Sequence, residues 1–295
     1  MNRATPHRKE WLRAAHVDKV AYLSTLEGVG GHPFRLQEID AGRIGRTGTE
    51  QDSGVFTLDG REFVFVPGDD VALGWGGPDP EDGDILAAIG RELEIAGEPR
   101  GVLDYLKDTL SPRRPARIPP LLVERDVRLV IEHRGGLVAL DPLVADPVGG
   151  LVGYDRAIDD LGRRGFSLPT EDEWEYLCGG GTGRLFGDQV DEGLVRDIRT
   201  GKRQSWARDE LRRPTRQGVY IAYDGWTYEL VQAPCLVKGA DGGVAACGGY
   251  SALALLTVSP HYRQEYIEEV VGDDRWFENA VYVRRVVRLE PPVVS

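Results

Sequence analysis

The stretch Phe166-Ser-Leu-Pro-Thr-Glu-Asp-Glu-Trp-Glu-Tyr176 most narrows what this chain can fold into, because it dictates where a helix starts. Thr170 is a strong N-cap, since its hydroxyl can accept from the free N–H groups of the first turn. Glu173, three residues on, can reach back to the Thr170 N–H and complete a capping box. Glu171, Asp172 and Glu173 place negative charge at the positive end of the helix dipole. Trp174 and Leu177 fall on the inward side, and Gly179, the first of three glycines, ends the helix.

Other elements follow from period and punctuation. Trp11, Ala15, Tyr22 and Leu26 recur at helical spacing, so one helix is expected over residues 9–26, stopped by Gly28. Residues 84–95 and 102–110 read as helices divided by Gly97 and Pro99. Residues 127–131 and 136–140 read as two strands joined by a turn. Pro112, Pro115, Pro119 and Pro120 favour extended chain between them. The 38 glycines and 18 prolines imply many turns.

Charge and apolar pattern exclude several function classes. A formal net charge of −12 disfavours a nucleic-acid partner, which needs a basic surface, and disfavours docking on anionic membranes. No run of 18 apolar residues is present to span a bilayer. The first residues carry charge without an apolar core after it, so no secretory signal is expected. Three cysteines, Cys178, Cys235 and Cys247, are too few and too odd in number for a disulfide framework. A cytoplasmic, reduced location is the simplest expectation.

The string Leu-Pro-Thr-Glu-x-Glu-Trp-Glu-Tyr closely resembles the signature of the formylglycine-generating enzyme (sulfatase-modifying factor) family. Further landmarks stand in the family's order. Phe63-Val-Phe-Val-Pro-Gly68 resembles its opening strand and turn, Arg117-Ile-Pro-Pro-Leu-Leu-Val-Glu124 its next strand, and Val152-Gly-Tyr-Asp-Arg-Ala-Ile158 the helix before the signature. Gly225-Trp-Thr-Tyr-Glu-Leu-Val231 is similar to its Gly-Asn-x-Trp-Glu-Trp segment. Gly248-Gly-Tyr-Ser251, Tyr262-Arg263 and Arg285-Val-Val287 resemble its closing elements. The resemblance implies an α+β chain with the family's loop-rich variant of the C-type lectin fold over residues 60–290. Residues 1–59 would then be a helical extension and linker, and residues 291–295 a tail.

The resemblance also makes a departure visible. The relatives hold copper(I) between two thiolates five positions apart, as suits a soft ion. Anchored on Gly248-Gly249, the matching positions here are Leu253 and Val258, and neither side chain can bind a metal. Formylglycine formation by that route is not expected. Cys235 and Cys247 offer the only substitute thiol pair, although free cysteines more often serve as small buried hydrophobes. The iron-dependent sulfoxide synthases, a second branch, need three converging histidines. This chain has His7, His16, His32, His133 and His261 with no His-x-x-x-His pair. Trp226 replaces the Asn of a calcium-binding segment and leaves only Glu229, and Asp188 reads as a turn carboxylate. No metal or other cofactor is therefore assigned.

What remains is a surface. The C-terminal segment begins with the apolar run Ala252-Leu-Ala-Leu-Leu, which suits either core packing or a ligand face. Trp226, Tyr250, His261, Arg263 and Trp276 are the candidate ligand-binding residues, expected to converge on one concave face. Two function classes result. One is a non-catalytic or repurposed member that binds a protein or small ligand there, with the variable proteins of diversity-generating retroelements as a special case, since they resemble this family and vary that stretch. The other is an oxygen-dependent oxidase or peptide-modifying enzyme with a non-standard metal site.

Overall fold

A computed structural model describes residues 6–40, 53–133, 136–140, 152–203, 206, 208–233, 236–265, 276–277 and 281–289. The chain is a mixed α+β structure with antiparallel sheets. The expected N-terminal helix is two: α1 (Arg8–Arg13) and α2 (His16–Ser24). Ala14 and Ala15 between them are extended, with ψ of 143° and 150°. The break aims the indole of Trp11 at Phe65, with ring centroids 4.8 Å apart. Gly28 takes the left-handed conformation that closes the segment.

The strands β1 (Arg35–Asp40), β2 (Ser53–Leu58) and β3 (Arg61–Val66) run antiparallel, followed by β4 (Asp69–Leu73). Helices α3 (Gly83–Ala96) and α4 (Val102–Thr109) match the expected pair, with Gly97 left-handed at the α3 C-terminus. The strand expected through residues 117–124 is split at Pro119-Pro120 into β5 (Arg114–Ile118) and β6 (Leu121–Glu124). They serve different sheets: β5 pairs with β4, and β6 with β3. Two consecutive residues without N–H groups cannot continue a ladder, so the chain changes sheet there.

The hairpin β7 (Arg128–His133) and β8 (Gly136–Leu140) follows, then β9 (Val152–Gly153), α5 (Tyr154–Arg163) and the signature helix α6 (Glu171–Gly179). After it come α7 (Glu192–Arg199), α8 (Arg208–Leu211), β10 (Glu229–Leu230), β11 (Leu236–Lys238), α9 (Val244–Cys247) and α10 (Ser251–Thr257). The last strands are β12 (Gln264–Glu265), β13 (Trp276–Phe277), β14 (Val281–Val283) and β15 (Val286–Arg288). One sheet has the order β1-β2-β3-β6-β15, and a second the order β12-β11-β10-β14-β7-β8. The β10–β14 pairing is parallel.

The first sheet is covered on both faces, and the alternation of its residues shows how. Val64, Val66, Leu121 and Val123 join one core with Trp174, Leu177 and the apolar face of α10. Phe63, Phe65 and Leu122 point the other way, into a second core with Trp11, Leu23, Phe34, Tyr154 and Leu161. Side chains at successive strand positions face opposite sides, so Phe63-Val-Phe-Val66 feeds aromatic bulk to one core and β-branched bulk to the other. Residues before position 60 thus supply two strands of this sheet and part of the second core.

Candidate functional site

The N-terminus of α6 is built as its local sequence requires. The Thr170 hydroxyl accepts from the Glu173 N–H at 3.1 Å, and Glu173 Oε2 accepts from the Thr170 N–H at 2.8 Å. Gly179 is the last helical residue, and Gly180, left-handed at φ 60°, is the stop. Its neighbour Arg216 lies so close that a Cβ there would collide with it. Trp174 is fully buried.

This helix carries charge inward, because its residues 171, 174, 175 and 178 share one face. Glu175 is the hub. Its Oε2 accepts from the Ser111 hydroxyl at 2.7 Å and lies 3.2 Å from Arg114 Nη2. Its Oε1 accepts from the Gly74 N–H and lies 2.7 Å from His261 Nδ1. Burial opposes ionisation, but the hydrogen bond from His261 and the charges of Lys238, His261 and Arg114 outweigh it, holding this carboxyl down at about 2. His261 Nε2 lies 3.0 Å from the Arg184 carbonyl. Both ring nitrogens thus lie within hydrogen-bond distance of an oxygen.

The cluster continues outward. Arg114 also holds Asp172 at 2.6 Å, and Arg263 Nε lies 2.9 Å from Glu171 Oε1. Lys238, fully buried on β11, places its ammonium 5.3 Å from the Trp174 ring centroid and 3.9 Å from Glu171 Oε1. Desolvation lowers its affinity for a proton, and the nearby Glu175 and Glu171 oppose that fall. Two further ion pairs are buried in the interior. Arg284 bonds both oxygens of Glu229 at 2.9 and 2.8 Å, and Arg285 bonds both oxygens of Glu124 at 2.8 and 3.1 Å.

The candidate binding residues are not all surface groups. His261 is 3% exposed and belongs to the interior cluster, so it is a clasp between α6 and the loop at Arg184 rather than a surface group. Arg263 sits at the outer edge of that cluster. Trp226 and Tyr250 lie at the two ends of α9. Trp226 is 54% exposed, and its ring covers Gly243, where a Cβ would collide with it. The Tyr250 N–H donates to the Ala245 carbonyl. Trp276 pairs through its backbone with Gly153, and its side chain lies outside the described residues. The apolar run after Tyr250 is core: Ala252, Ala254, Leu255, Leu256 and Val258 are buried, and Leu253 packs against them. Tyr223, Tyr228 and Tyr262 are buried too.

The ligand candidates resolve similarly. Glu229 is occupied by Arg284, and Asp188 by Arg216 at 2.9 and 3.1 Å. Cys178 is buried beside Gln189, its thiol pushed up to about 12 by desolvation. Cys247 is exposed and free, and Cys235 lies outside the described residues. Among the described residues, no group of three or more His, Cys, Asp or Glu could hold a metal ion, and no helix is long and apolar enough to cross a membrane. Sequence reasoning missed Glu175, Lys238 and Arg284. For Lys238 and Arg284 the available signal was a charge inside an apolar run, as in Leu236-Val-Lys238 and Val283-Arg-Arg-Val286. No family model and no curated protein matches the chain.

Proposed function

We propose that this protein is a divergent, non-catalytic relative of the formylglycine-generating enzymes, with their variant of the C-type lectin fold, that binds a protein or small ligand through the surface around Trp226. The exposed indole of Trp226 carries the reading. It rests on Gly243 beside Val244, which is 70% exposed, so an apolar surface faces solvent there. Large aromatics held in this way dominate binding hot spots. The reading gains support from the polar groups elsewhere. Glu175, His261 and Glu229, the groups best suited to acid–base or cation chemistry, are spent on internal partners. The positions aligned with the relatives' thiolates, Leu253 and Val258, are packing residues.

The test compares wild type with Trp226→Ala for retention of binding partners from the native source. Loss of a retained partner with an unchanged melting temperature supports the reading. Equal retention moves the binding face elsewhere. Catalysis is tested separately: with copper(I), oxygen and a Cys-x-Pro-x-Arg peptide, the peptide cysteine should stay unchanged. A mass shift to the aldehyde would overturn the non-catalytic reading. The retroelement variant of this proposal predicts a reverse-transcriptase gene nearby and a near-copy of the 3′ end of the coding sequence.

A further inference from the structure

Lys238 is fully buried, yet its ammonium finds no hydrogen-bond acceptor among the described residues. Its strand partner gives no help. Glu229 lies opposite Lys238 in the β10–β11 register, but Arg284 takes both Glu229 oxygens. The closest carboxylate oxygen of an ion partner is Glu171 Oε1, at 3.9 Å. That is beyond hydrogen-bond length. This same oxygen also lacks a hydrogen bond among the described residues, because Arg263 Nε, although 2.9 Å away, is out of alignment with it. A buried donor with three N–H bonds and a buried acceptor therefore face each other across a gap too wide for direct contact. Burial removes the ammonium's water, and the Trp174 ring and the charges of Glu175 and Glu171 offset that cost without supplying a hydrogen bond.

The chemistry of the two sides selects what fits between them. An anion would accept from Lys238 but meet the carboxylates of Glu171 and Glu175. A metal cation would meet Lys238 itself and Arg263. A neutral hydroxyl accepts from the ammonium with its lone pair and donates its proton to Glu171. Placed about 2.8 Å from each atom, it closes the gap. At its outer wall the side chains of Glu171 and Arg263 are 21% and 35% exposed, although the facing atoms are buried. We propose that Lys238 and Glu171 form a hydroxyl-binding site at the start of the signature helix, filled either by an ordered water or by a hydroxyl of a ligand. This site is separate from the Trp226 platform and independent of its role.

Crystals of the full chain, grown without polyols and diffracting to about 1.5 Å, test the site. The expected result is one peak within about 3.2 Å of both Lys238 Nζ and Glu171 Oε1. A soak in ethylene glycol separates the sources. Replacement of the peak by a diol oxygen shows a site open to ligand hydroxyls, and an unchanged peak shows a resident water. Glu171→Met, at a partly exposed position, should remove the peak without unfolding the protein. Three results in the wild type would overturn the proposal: no peak, a direct bond from Lys238 to a protein acceptor, or an anomalous bromide peak beside Nζ after a bromide soak. Persistence of the peak in Glu171→Met would equally sink the bridging geometry.

Discussion

The interior of α6 and the surface at α9 use the same kinds of residue to opposite ends. Around α6, a tryptophan, a histidine and several charges are buried and committed: Trp174 lies under Lys238, and His261 has both ring nitrogens engaged. At α9, Trp226 and Val244 stand in solvent with apolar area uncommitted. The contrast teaches that residue type does not identify a site here. Satisfaction does: a polar group whose bonds are all made internally holds structure, whereas an exposed aromatic on a rigid seat keeps binding energy in reserve.

The largest effect should come from the buried side of that contrast. Trp174→Ala removes a fully buried indole from the core that also holds Val64, Val66 and Leu177, and should cost roughly 3–5 kcal/mol, read by denaturant unfolding. A cost under about 1 kcal/mol would mean that the interior is far looser than its packing implies.

The next effect is a pH dependence. The Glu175 carboxyl lies below its ordinary 4.5, at about 2, so its contribution to stability is fully present above 4.5 and is lost as the pH falls towards 2. The depression corresponds to about 3 kcal/mol at most. The groups facing it are His261, Lys238, Arg114 and Ser111, with Asp172 beyond Arg114. Glu175→Gln should flatten the decline of unfolding free energy with pH between about 4.5 and 2 relative to wild type. An identical slope in both proteins would remove Glu175 from its hub role.

Smaller still is the cap. Thr170→Ala loses the hydroxyl that accepts from Glu173 N–H and should cost about 1 kcal/mol, measured by the shift in denaturant midpoint. The smallest stability effect belongs to the surface. Trp226→Ala should change unfolding free energy by less than about 0.5 kcal/mol while weakening partner binding by more than about 1 kcal/mol. A destabilisation as large as that of Trp174→Ala would show that the two regions do not differ in the way described.

Local chemistry was legible where a few adjacent residues decide the outcome. The capping box at Thr170 and Glu173, the left-handed stop at Gly97 and the hairpin of β7 and β8 all rest on interactions within a short stretch. The alternation in Phe63-Val-Phe-Val66 likewise assigns opposite faces without reference to distant chain. The break at Ala14–Ala15 was not legible, because alanine favours helix and only the docking of Trp11 on Phe65 overrides that preference. Neither was the split at Pro119-Pro120, where the prolines announce extended chain but not a change of sheet.

The candidate site divides the same way. Composition and period marked His261, Arg263, Trp226 and Tyr250 as chemically capable, and nothing in them distinguishes interior from surface. Glu175 and His261 are 86 residues apart, and Glu229 and Arg284 are 55 apart. Whether a charge is spent or free depends on a partner brought from that distance, so only the assembled chain buries His261, leaves Trp226 in solvent and strands Lys238 within 3.9 Å of Glu171. Short-range hydrogen bonding and side-chain periodicity are written in neighbouring residues, while burial and charge pairing are properties of the packed whole.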